Sequence, residues 1–246
     1  MTHATTSTAV ESWLGSGLGK AVLQAESELM SEALDDVFGW ELLQLGTWGE
    51  KEFLLSGCRT RRHSVIAHGR FKSADADIGA RLSQLPIANG AVDAVVLPHT
   101  LEFETDPYAV VREADRVLAG EGQLVVLGFK PFSLWGFRSR AISRGYPPGL
   151  KRMLGAGRIA DWLELLGYDV TLTRKYLFTP PWGGSAPRPG VPSALLRRGW
   201  IKPWPAGAYL IKARKRVYTL TPIRPKTRER PQTIGGLVKP TTRSSS

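Results

Sequence analysis

The chain has a single cysteine, Cys58, so no disulfide can close within it, and a reducing compartment is expected. No stretch approaches the ~18 apolar residues that a membrane-spanning helix needs. The opening MTHATTSTAV lacks the basic patch and apolar run of a secretory leader, so a soluble, cytoplasmic protein is expected. Histidine is scarce at four residues; His63 and His68 stand five apart with no cysteine pair near them, which argues against a metal centre. A Gly-x-Ser-x-Gly elbow is missing, which removes the common hydrolase logic. Acidic residues are nearly missing from one end. Residues 171–246 hold 16 Lys and Arg against one acid, Glu229, and carry +15 of a chain whose net charge is +11. A near-neutral body with a basic end suits nucleic acid or an anionic membrane surface as partner, or else a solvated tail.

What the chain does have is a well-marked centre at residues 85–129. Val92, Ala94, Val95, Val96 and Leu97 form the nearly unbroken apolar run of a strand covered on both faces, and Pro98 closes it. Asp106 and Pro107 suit a helix cap and first turn, and Val110, Val111, Ala114, Val117 and Leu118 recur at helical spacing. Gly120 and Gly122 are expected to end that helix in a turn before a second buried strand, Gln123 to Phe129. Strand, crossover helix and strand make one unit of a parallel α/β sheet. Ligands of such sheets sit beyond the carboxyl ends of the strands, which places Pro98 to Phe103 and Gly128 to Pro131 on the rim of a site.

These residues carry a resemblance. Leu85-Pro86, Val92-Asp93-Ala94-Val95-Val96, His99-Thr100-Leu101-Glu102-Phe103 and Arg116-Val117-Leu118-Ala119-Gly120-Glu121-Gly122 resemble class I S-adenosylmethionine-dependent methyltransferases of the type 11 group, over residues 40–216. The resemblance implies a Rossmann-like, mostly parallel sheet with an antiparallel C-terminal edge hairpin and helices on both faces. It also implies S-adenosylmethionine as cofactor, held after the first strand. There the family's acid and glycines are matched by Gln44, Gly46, Thr47, Trp48 and Gly49, with Glu50 in place of the last glycine. Trp48 replaces a glycine, so its indole either stacks on the ligand or fills its space. His68 stands where the family's second strand offers an acid to the ribose, and Arg81 where an acid meets the adenine amine. Leu82, Leu85 and Pro98 complete the implied cofactor set. His99, with an ordinary pKa near ~6.5, is the candidate base and Glu102 the second; each has a structural alternative, a backbone contact for His99 and a steadied loop for Glu102.

Around this centre the pattern is helical from Ala9 to Phe38. Gly15-Ser16-Gly17-Leu18-Gly19-Lys20 mimics a phosphate loop, but no strand precedes it, and it reads as a break between two helices. Strands are expected within Gly39 to Glu50, at His63 to Ala67 and at Ala76 to Leu82, with a loop, His68 to Asp75, replacing a crossover helix. Lys130 to Arg138 reads as an aromatic loop, either a substrate lid or a plug over the sheet, followed by a basic stretch to Arg152. A helix at Arg158 to Leu166 and strands at 168–178 and 208–217 follow, and a helical turn is expected at Ser193–Arg198. The organisation is a helical segment at 1–38, an α/β domain at 39–217 and a basic tail at 218–246. Three functions fit: a methyltransferase acting on a small or lipid-like acceptor, one acting on nucleic acid or simply binding RNA through the basic end, and a non-catalytic binding module of the same fold.

Overall fold

A computed structural model of the protein describes residues 3–50, 53–69, 76–142, 145–181, 205–217 and 236. The expected turn at 193–198, most of the loop at 68–75 and all but one residue of the tail lie outside these.

Seven strands form one sheet in the order β3-β2-β1-β4-β5-β7-β6. They are β1 (Phe38–Leu45), β2 (Arg59–His68), β3 (Ile78–Ala80), β4 (Val92–Pro98), β5 (Leu118–Phe129), β6 (Tyr168–Tyr176) and β7 (Ala208–Lys215). β1 to β5 pair parallel to one another, whereas β7 runs antiparallel between β5 and β6. This is the Rossmann-like sheet with an antiparallel edge. Because β6 runs in the same direction as β5, its end at Tyr176 reaches the same rim as the carboxyl ends of β1, β4 and β5.

Side chains alternate between two cores, as the two-residue period of a strand dictates. Leu42, Ala94, Val96, Val125, Leu127 and Leu210 face helices α1 (His3–Leu14) and α2 (Gly17–Leu34). Leu43, Val95, Leu97, Leu124, Val126 and Ile211 face α4 (Pro107–Val117) and α6 (Ala156–Leu165). α4 begins as its sequence requires: the Asp106 carboxylate accepts from the Ala109 N–H at 3.1 Å, and Pro107 holds the first turn. Gly120 and Gly122, expected in a turn, lie instead within β5. The helix stops at Val117, and the β4–β5 register jumps from Val92↔Leu118 to Ala94↔Gln123, so the glycines occupy a bulge.

The GSGLGK stretch is a helix break. The Ser16 hydroxyl caps α2 by accepting from the Gly19 N–H at 3.2 Å. A Cβ on Gly19 would stand 2.3 Å from the Trp13 carbonyl oxygen, so glycine is what lets α1 and α2 meet. α2 runs along one face of the sheet, and the hairpin brings Trp13 and Glu26 to the carboxyl rim beside Trp48 and His99. The expected loop after β5 is in part a helix, α5 (Leu134–Ala141), capped by Ser133; the short helix α3 (Thr100–Phe103) follows β4.

Candidate active site

The carboxyl ends of β1, β4, β5 and β6 converge on a buried polar network with His99 at its hub. His99 sits just beyond β4 with φ +55, a left-handed backbone that turns the chain directly into α3. Its ring is fully buried between Trp48, at 4.4 Å between centroids, and Phe129, at 4.1 Å. Nδ1 lies 2.8 Å from Glu102 Oε2 and Nε2 lies 2.8 Å from Glu26 Oε1. Burial alone would lower the pKa of this imidazole; the charge of Glu26 and the hydrogen bonds to both carboxylates outweigh it and raise it to about 9. At neutral pH both ring nitrogens therefore donate, and His99 is an imidazolium rather than a free base.

Each carboxylate is further held. Glu102, buried, accepts the Phe129 N–H at 2.7 Å; burial pushes its pKa up, against the opposing pull of His99. Glu26 accepts from the Trp48 indole N–H at 2.6 Å and from the Tyr176 hydroxyl at 2.9 Å. Burial, and next the charge of Glu26, push the Tyr176 phenol well above its ordinary range. Two glutamates thus converge on one imidazole. Aromatic rings surround it: Trp13 stands 6.0 Å from Trp48, and Trp135 stacks on Phe129 at 5.4 Å.

Beside this network the bend after β1 carries positive φ at Gly46 (+90) and Gly49 (+76). Gln44 is buried at its base; its amide nitrogen donates to the Gly46 carbonyl at 3.0 Å, and its Oε1 has no hydrogen-bond partner. An orphaned buried oxygen under a glycine bend suits a ligand with a donor group. The room over the bend is taken by the protein's own side chains in this arrangement. A Cβ on Gly46 would stand 2.8 Å from the Thr100 hydroxyl, which itself bonds the Leu45 carbonyl. A Cβ on Gly49 would stand 2.9 Å from Leu23, and the Trp48 indole, 1 % exposed, packs against His99 next to the bend.

Gln44, Gly46, Thr47, Trp48, Gly49, Pro98, His99 and Glu102 are thus brought to one rim. Leu82 and Leu85 are not: both are buried in the core under α4, on the other face of the sheet. Arg81 is exposed and bridges Gln84. His68 ends β2, with its backbone paired to Ala80. Sequence reasoning missed Glu26 and Tyr176, and placed Phe129 and Trp135 only within the rim segment and the aromatic loop. Of the two missed, Glu26 left a signal, a lone acid on the stripe Val22, Glu26, Met30, Ala33 that α2 buries.

Comparison with known proteins agrees with this architecture. A family model described as a methyltransferase domain matches residues 60–126. The Escherichia coli protein YafS is 31% identical over 207 residues, covering 82% of this chain and 80% of its own length. Among solved structures, a Thermotoga maritima S-adenosylmethionine-dependent methyltransferase described as a possible histamine N-methyltransferase superposes with a TM-score of 0.57. It is 15% identical, with 79% of this chain and 89% of that one covered. A methyltransferase from Archaeoglobus fulgidus gives a TM-score of 0.56 at 14% identity, over 79% of this chain and 93% of that one. At such identities these two structures speak for the fold. This chain therefore belongs to one family with YafS, and its fold is that of the class I S-adenosylmethionine-dependent methyltransferases, with the methyltransferase-domain match over residues 60–126.

Proposed function

We propose that the protein transfers the methyl group of S-adenosylmethionine to a small, lipid-like acceptor at the rim formed by β1, β4, β5 and β6. The observation that carries this reading is the network itself, a buried site with two glutamates and aromatic walls beside the family's glycine bend. A sulfonium is a cation, and carboxylates with ring faces are the groups that favour one in a dry site. Gln44, Gly46 and Gly49 would hold the amino-acid end of the cofactor, with Trp48 displaced from over the bend. When bound, the cofactor supplies an electrophilic methyl group.

The chain's own residues do the rest. α1 and α2 roof the rim and exclude water through Trp13, Glu26 and Tyr146, whose hydroxyl accepts from the Trp13 indole N–H at 3.0 Å. The aromatic wall of Phe103, Phe129 and Trp135 fits an apolar acceptor better than a highly charged one. An acceptor oxygen or nitrogen that loses a proton passes it to the Glu26–His99–Glu102 unit.

The basic end gives less support to a nucleic-acid substrate. Arg174, Lys212, Arg214, Lys215 and Arg216 are each ion-paired, with Glu32, Asp36, Glu121, Asp115 and Asp169 respectively. Their charge is answered inside the domain.

The test is to incubate the protein with methyl-labelled S-adenosylmethionine and total cell extract, then partition the products between organic solvent and water. Label is expected in the organic phase. Label confined to nucleic acid or to water-soluble products would overturn the acceptor class, and no transfer to any fraction would overturn the activity.

A further inference from the structure

Between Gly122 and Ala160 the chain has seven Lys and Arg residues and no acid. This stretch includes α5, which leaves the carboxyl end of β5 at the mouth of the site. One side of α5 is fixed. Trp135 is buried against Phe129 and donates its indole N–H to the Thr179 carbonyl at 3.1 Å. A Cβ on Gly136 would stand 2.1 Å from the Pro131 carbonyl oxygen, so the helix is seated directly on the preceding loop. Of the two sequence readings of this segment, Trp135 realises the plug.

The other side is unlike an ordinary soluble surface. Phe132 is 83 % exposed and Phe137 is 67 % exposed, and Ile142 is exposed as well, all within eleven residues. Arg140, one helical turn beyond Phe137, lies over the Phe132 ring at 5.5 Å, which gathers these residues on one surface. Lys130 precedes them, whereas Arg138 is turned to the Tyr146 ring, 3.9 Å away, and donates to the Pro181 carbonyl. Just beyond, exposed Lys151 and Arg152 extend the positive charge, and their backbone N–H groups donate to the Glu102 carbonyl at 3.0 and 3.2 Å, which fixes them at the rim.

A rigid helix that presents phenylalanines among arginines, with no acid to repel phosphate, matches the chemistry of an anionic lipid surface. The rings enter the headgroup boundary while the guanidinium groups stay at phosphate level. We propose that Phe132 and α5 form the surface by which the protein settles on an anionic bilayer, with the mouth of the site facing the membrane. The inference rests on the lipid-like acceptor only for its purpose; membrane binding is measured without any turnover.

Flotation of the full-length protein with vesicles of mixed phosphatidylglycerol and phosphatidylcholine tests it, against vesicles of phosphatidylcholine alone. The protein is expected to float with the mixed vesicles and not with the neutral ones. The Phe132→Ser/Phe137→Ser double variant is expected to bind the mixed vesicles at least about tenfold more weakly, and Arg140→Glu to weaken binding further. None of these side chains belongs to the His99 network, so far-ultraviolet circular dichroism and transfer to a detergent-dispersed acceptor should match those of the unaltered protein. The proposal is overturned if the unaltered protein stays with neither vesicle, or if the double variant binds as the unaltered protein does, which would assign binding to the basic end. Binding of single-stranded RNA in place of vesicles would overturn it equally. Loss of transfer with vesicle binding intact would strike the acceptor reading alone.

Discussion

His99 concentrates the physics of this protein in one ring. It carries a charge in a place without water, and only Glu26 from α2 and Glu102 from α3 make that tolerable. Replacement by Asn keeps a residue suited to φ +55 but leaves two carboxylates without their cation. His99→Asn should therefore lower unfolding stability at neutral pH by about 3–5 kcal/mol, measured by urea denaturation. Glu26→Gln, which leaves one carboxylate against one imidazolium, should cost clearly less. The same ring sets a pH dependence. Its folded pKa, about 9, exceeds the ordinary 6.5 of an unfolded histidine, so its contribution is complete below ~6.5 and is lost as pH rises through 9. Glu26, Glu102 and Tyr176 face it; burial raises the pKa of Glu102 and, with the charge of Glu26, that of the tyrosine. The urea midpoint should fall between neutral pH and pH 9.5 by an amount equivalent to on the order of 3 kcal/mol. In His99→Asn that part of the fall should vanish.

Trp48 poses a different residue question, because its indole occupies the room that the family keeps for glycine. Trp48→Ala should cost about 3–5 kcal/mol of stability as a buried ring is removed. It should also tighten S-adenosylmethionine binding, measured by calorimetric titration. Weaker binding in that variant would mean that the indole stacks on the ligand instead of standing in its way.

At the level of elements, the helical hairpin α1–α2 is the roof of the site, and Gly19 is its hinge of close approach. Gly19→Ala forces a methyl group against the Trp13 carbonyl and should destabilise the protein by about 1–3 kcal/mol, read from thermal unfolding. Because the roof delivers Glu26 and Trp13, the same variant should loosen the network. The sign is a lower pKa for His99 by nuclear magnetic resonance titration. The strands and α4 were legible in the sequence because buried parallel strands are continuous apolar runs and a capped helix has a signature at Asp106-Pro107. The bulge at Gly120–Gly122 was not, since glycine pairs mark a turn and a bulge alike. α5 was obscured by the aromatic content of its segment: Trp135 points inward while Phe132 and Phe137 point outward, and no period separates them.

Across the whole molecule, the rim residues supplied by β4 could be read in advance, because one strand end carries Pro98, His99 and Glu102 together. The remainder of the site comes from 73 residues before His99, at Glu26, and 77 after it, at Tyr176. Such distances are set by topology, and no local pattern reports them. Leu82 and Leu85 show the converse: they are apolar, near the family motif in sequence, and sit on the far face of the sheet. In the basic C-terminal strands, Arg174, Lys212, Arg214, Lys215 and Arg216 have acidic partners at Glu32, Asp36, Glu121, Asp115 and Asp169, far apart in sequence. Among the described residues no helix is long and apolar enough to cross a membrane.

The claim on which the functional account turns is that the glutamate-lined, aromatic rim around His99 receives a sulfonium nucleotide. Titration of the unaltered protein with S-adenosylmethionine, followed by calorimetry and by tryptophan emission, tests it most directly. A saturable heat, with a parallel change in emission as Trp48 leaves its place over Gly46, is the expected result. A flat titration by both signals, with the protein folded, would contradict it.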